Sequence, residues 1–131
     1  MRRSIVGILG FMLAAGGAAA QQSVDRTVKA NARTAVGGIF TFWQHSCEQS
    51  MIPDPKLSKP PANGRVEIEM HRLTMSKPHP CDGRQLSGPV FFYTPAKGFK
   101  GVDQFTVEYP FSTNDVSAPI QRSSTYRITV Q

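Results

Sequence analysis

The stretch YTPAKGFKGVDQFTVEYP, residues 93–110, decides how this chain is read. Gly98 and Gly101 flank Phe99 and Lys100, Asp103 follows, and an alternating run begins at Phe105. Such a segment is either a ligand loop whose backbone cradles a phosphate, or a corner that turns one strand into the next. Its flanks favour the corner. Before it, PVFFYT (89–94) is aromatic and β-branched; after it, Phe105, Val107 and Tyr109 alternate with Gln104, Thr106 and Glu108. Both are strand patterns. A phosphate-cradling glycine loop instead opens a helix. Gly-Phe-Lys-Gly also fits the clamp loop of KH nucleic-acid domains, but that loop joins helices, so the match implies no nucleic-acid partner. In a corner the glycines supply unusual backbone angles, and Asp103 is expected to accept N–H bonds across the turn. Pro110 should end the strand.

Working outward, Val36–Gln44 (VGGIFTFWQ) reads as one strand with Ile39, Trp43 and Cys47 facing the same, inward side. Phe40 and Phe42 then face outward and need a cover. Lys56–Lys59 is a short strand, and Asn63-Gly64 is a turn. In Arg65–His71, Val66, Ile68 and Met70 face the core, while Arg65, Glu67, Glu69 and His71 face solvent. Arg72–Gly88 is a loop-rich connection, and Ser124–Val130 closes the domain with Tyr126, Ile128 and Val130 inward. Short strands at near-regular spacing predict an all-β antiparallel sandwich over residues 35–131.

The first twenty residues read as an export signal: Arg2 and Arg3, an apolar run from Ile5 to Ala15, then Ala18-Ala19-Ala20 before Gln21. Residues 21–34 are polar and without period, and read as a flexible leader. No later apolar run reaches membrane-spanning length, so no stable membrane insertion is expected after cleavage, and the location is periplasmic or secreted. The formal charge of +6 is scattered, unlike a nucleic-acid stripe. Only Cys47 and Cys81 are present, and in an oxidising compartment an even pair implies one disulfide.

Tyr93–Val107 resembles the Tyr-x-Pro-x-x-Gly-Phe-x-Gly-x-Asp-x-Phe-x-Val signature of bacterial immunoglobulin-like, cadherin-like domains of exported proteins. The likeness extends more loosely from PPANGRVEI (60–68) to YRITV (126–130). It implies an immunoglobulin-like sandwich in which Tyr93, Pro95, Gly98, Phe99, Gly101, Asp103 and Phe105 build a structural corner. It also implies a non-catalytic adhesive or binding module. Calcium, bound by acidic residues in some relatives, finds only Asp103 here beside two lysines, which is too few oxygens. No cofactor is expected.

Other residues could carry chemistry. His45-Ser46-Cys47 and His79-Pro80-Cys81 repeat a His-x-Cys that could hold zinc or copper tetrahedrally, giving a metal-handling periplasmic protein as the alternative function. A disulfide with incidental histidines is the simpler reading. Glu67 and Glu69 resemble paired catalytic carboxylates but fit a solvated strand face. No serine sits in a nucleophile elbow, and no enzyme is expected. The candidate binding loop is FSTNDVSAPIQR (111–122), which carries Phe111, Val116 and Ile120 at one end of the sandwich. Its partner is an unidentified envelope protein or surface ligand.

Overall fold

Seven strands and no helix make up the described chain, residues 21–112 and 118–131 of a computed structural model. They are β1 (Gln21–Val28), β2 (Thr34–Gly38), β3 (Lys56–Lys59), β4 (Gly64–Thr74), β5 (Gln85–Pro95), β6 (Gly101–Phe111) and β7 (Ile120–Val130). One sheet has the order β1-β7-β6-β3, the other β2-β5-β4. Every pairing is antiparallel except β1 with β7. Residues 1–20, read as an export signal, and Val116 lie outside the described residues.

The core forms where the two sheets face each other. Val36, Phe91 and Tyr93 come from one sheet, and Phe105, Val107, Tyr126, Ile128 and Val130 from the other. Phe105 stacks on Tyr126 at 4.9 Å between centroids, and Phe91 meets the same tyrosine edge-on at 5.6 Å. The Phe91 contact joins the two sheets beyond what area burial supplies, while Phe105 and Tyr126 are cross-strand neighbours within one sheet. Gly37 is part of that fit, because a Cβ there would run into the Tyr126 ring. The period-two alternation of β6 and β7 predicted their share of this core, and Lys56–Lys59 also forms the expected strand.

Residues 21–34 depart from the sequence reading. Far from being a flexible leader, Gln21–Val28 is a strand in parallel register with β7, from Gln21↔Ser123 to Val28↔Val130. It is an edge strand with only Val28 buried, so backbone bonding carries it and little apolar pattern is needed. Arg26 reinforces it by donating to the Val36 carbonyl at 2.9 Å.

The strand expected over Val36–Gln44 stops at Gly38. Its neighbour supplies the reason. Ile39 N–H donates to the Pro89 carbonyl at 2.9 Å, so the missing Pro89 N–H faces the same way and the ladder cannot continue. Pro110, by contrast, does not end β6, since the ladder runs on to Phe111↔Ile120. β3 pairs only as far as Glu108, so β6 already has an open side at that level, where a residue without N–H is tolerated.

Met70 is also misplaced by alternation alone: it is 56% exposed. β4 is an edge strand, and every residue from Glu69 onward is exposed, although Leu86 and Pro89 of neighbouring β5 are buried. The hairpin is longer than expected, pairing through Thr74↔Gln85, and the Arg72–Gly88 connection shrinks accordingly. No helix among the described residues is long and apolar enough to cross a membrane.

Candidate functional site

The corner gathers the residues predicted for it. Asp103 is buried, and its carboxylate accepts N–H bonds from Ala62 (3.0 Å), Asn63 (3.1 Å) and Gln104 (2.9 Å) and the Tyr93 hydroxyl (2.7 Å). One side chain thus ties the start of β6 to the end of β5 and to the turn entering β4. Burial, and then the adjoining carboxylate, push the Tyr93 hydroxyl pKa far above the ordinary tyrosine value. Gly98 and Gly101 take φ of 78° and 137°, angles that side chains resist. Gly98 N–H donates to Asn31 Oδ1 at 3.0 Å and Phe99 N–H to the Ala96 carbonyl at 3.0 Å. Both donors serve the fold, so they form no phosphate cradle. Phe99 packs on the core edge, Pro95 is buried at the end of β5, and Phe105 lies in the core.

Cys47 and Cys81 form the expected disulfide, with Cα atoms 5.5 Å apart. Their sulfurs are therefore not thiolate ligands. His79 accepts the Cys81 N–H at Nδ1 (3.0 Å) and meets the Phe42 ring edge-on at 5.4 Å, while His45 is exposed. Among the described residues no group of three His, Cys, Asp or Glu could hold a metal ion. The carboxylate pair is equally committed. Arg33 lies over the Phe92 ring at 3.9 Å and reaches Glu67 (3.4 Å) and Glu69 (2.6 Å), and His71 adds a contact to Glu69 at 3.2 Å. This is a paired outer sheet face.

The opposite end of the sandwich holds a different construction. Once the chain leaves β2 at Gly38, it folds into a small hairpin closed by Ser50 N–H to the Thr41 carbonyl (3.1 Å) and by a Phe42–Gln49 bridge. Trp43 N–H donates to Glu48 O and Cys47 N–H to Trp43 O, at 2.9 and 2.7 Å. Cys47 has φ of 59°, so a non-glycine residue takes a left-handed angle at the tip. Gln49 fastens the base: its Oε1 accepts Ser87 N–H at 2.7 Å, and its amide donates to the Thr41 carbonyl at 3.0 Å. The disulfide then pins the tip to the β4–β5 turn.

Between this hairpin and the end of β6 lies an open cleft of about 490 Å³. Phe40, Phe42, Trp43 and Phe111 supply its apolar walls, all half-buried. Thr41, Gln44, His45 and Ser50 supply polar groups. The Arg122 guanidinium, on the adjoining strand β7, lies 3.9 Å over the Phe111 ring centroid and helps fix that wall. Trp43, predicted inward, is therefore part of a surface, and Phe40 and Phe42 are its neighbours instead of an outward strand face. Of the candidate binding loop, Phe111 lines the cleft, Ile120 is its cross-strand partner and 49% exposed, and Val116 is outside the described residues. The cleft itself was missed in the sequence. The only local signal was three aromatic residues within Phe40–Trp43 after a glycine pair.

His45 makes no hydrogen bond or ion pair with a carboxylate among the described residues. Comparison with protein-family models, curated proteins and solved structures finds no match.

Proposed function

We propose that the chain is an exported, non-catalytic immunoglobulin-like binding module of the bacterial envelope, and that its ligand occupies the aromatic cleft. The observation that carries this reading is the cleft: four half-exposed aromatic side chains held at one end of a rigid sandwich by a disulfide and a side-chain clamp. Loop surfaces positioned by such a scaffold are where sandwich domains place recognition. The export-signal pattern and the disulfide favour a location outside the cytoplasm.

The immunoglobulin-like assignment draws support from topology. Strands two, five and four form one sheet and three, six and seven the other, as the B-E-D and C-F-G strands do in immunoglobulin domains. The first strand pairs with the seventh instead of the second. The disulfide also differs, joining two end loops instead of crossing the core. Cosedimentation with purified envelope material tests the proposal. Wild type should be retained, and a variant carrying Trp43→Ala and Phe111→Ala should be released. Equal retention of both would remove the cleft from the function.

A further inference from the structure

We infer that the cleft binds a neutral oligosaccharide, an assignment that rests on the cleft being the ligand site. Its composition carries the inference. In a chain with 18% charged residues, no Asp, Glu, Lys or Arg is among the described residues lining it. A nucleic acid or an acidic peptide would call for a basic lining. A lipid or an apolar helix would call for a continuous apolar surface. The lining instead mixes aromatic rings with hydrogen-bonding side chains: Phe40-Thr41-Phe42-Trp43-Gln44-His45 in one run.

That mixture suits a pyranose. The ring presents C–H groups on one face, which stack on an aromatic surface, and hydroxyls around its rim, which both donate and accept. The Trp43 indole N–H and the side chains of Gln44 and His45 make no hydrogen bond within the described residues. They offer an indole donor, a donor–acceptor amide and an imidazole at the cleft wall. A proline-rich peptide also uses aromatic grooves, but its backbone presents chiefly acceptors, leaving the Gln44 amide oxygen unmatched. The cleft's 490 Å³ lies in the range of small-ligand sites, enough for a few sugar units in an open trough.

Trp43 is the only tryptophan, so its emission reports directly on the cleft. The disulfide-intact protein is titrated with cellotetraose, chitotetraose and maltotetraose, with tetragalacturonate as the anionic comparator and a proline-rich decapeptide as the peptide comparator. Concentrations extend to about 10 mM to capture weak binding. At least one neutral tetrasaccharide should produce a saturable change. Phe111→Ala should weaken it about tenfold by removing a stacking ring. Gln44→Ala, at an exposed position that leaves folding intact, should weaken it about threefold by removing one hydrogen bond. If the peptide saturates the signal and no sugar does, the oligosaccharide assignment falls while the binding site stands. If tetragalacturonate binds as tightly as the neutral sugars, neutrality is not what the cleft selects and the assignment falls. If no probe alters the emission and the envelope retention assay is also negative, both readings fall.

Discussion

The two ends of the sandwich are built on opposite plans. At the corner, the Asp103 carboxylate takes donors from two other parts of the chain, Ala62-Asn63 and Tyr93, and from its own following residue. At the cleft, the Trp43 indole N–H and the Gln44 and His45 side chains are left without partners among the described residues. At the corner, Tyr93 and Phe105 are fully buried and Phe99 packs half-buried on the core edge, whereas Phe40, Phe42, Trp43 and Phe111 are half-exposed outside the core cluster. Polar and aromatic groups at the corner are thus consumed by folding. Those at the cleft are held in place by other means and remain available to something else.

The strongest way to break this contrast is at Asp103. Asp103→Ala strands the Tyr93 hydroxyl and the Ala62 and Asn63 amides, and each charge-assisted bond is worth about 1.5 kcal/mol or more. A loss of about 4–5 kcal/mol is expected, measured by urea unfolding. A loss below about 1 kcal/mol would mean that water replaces the carboxylate easily and that the corner is no tie.

Next in size is the disulfide. Replacing Cys47 and Cys81 together by serine releases a loop closed across 34 residues. The chain-entropy account gives about 3–4 kcal/mol of destabilisation. The corner and the disulfide should also separate in a second readout. The serine variant frees the hairpin tip, so Trp43 emission should shift to longer wavelength while the protein is still folded. Asp103→Ala should leave native-state emission unchanged. A shift in both would show that the two ends are mechanically coupled.

How much of this was legible in the sequence follows the same division. The corner could be read because its residues are contiguous and its flanks carry their own period, from Tyr93 through Val107. The disulfide followed from two cysteines and an export-signal pattern. β1 was hidden because an edge strand bonded through its backbone needs no apolar rhythm, and only Val28 is buried. The end of β2 was hidden because it is set by Pro89, fifty residues away in sequence but opposite in space. Met70 was misread because alternation reports which way a side chain points, not whether anything covers it. The cleft needed all of these at once, together with Phe111 arriving from the far end of β6.

Alkaline pH sharpens the contrast from the corner's side. Tyr93 keeps its proton in the folded state well above the value of about 10 at which an unfolded tyrosine loses it. The unfolded state therefore releases a proton that the folded state retains. The Tyr93 contribution is fully present below about pH 10 and is lost above it at about 1.4 kcal/mol per pH unit. Unfolding measured between about pH 9 and 11 should show this fall, and Tyr93→Phe should reduce its slope. Tyr126, raised first by burial and next by neighbouring Tyr109, shifts the same way and accounts for a residual slope. An unchanged slope in Tyr93→Phe would place the buried proton elsewhere.

The smallest expected stability change is also the most informative. Trp43 is half-buried on a hairpin outside the main core cluster, so Trp43→Ala should cost no more than about 1 kcal/mol in urea unfolding. The same substitution should release the protein from envelope material. Asp103→Ala, measured under conditions where it is still folded, should remain bound. That reciprocal outcome would separate a fold-making end from a ligand-making end. If Trp43→Ala instead destabilises as much as Asp103→Ala, the aromatic hairpin belongs to the core. Its rings would then be exposed only because a small sandwich has too little polar surface to cover every edge. The cleft would have no more claim to function than the corner.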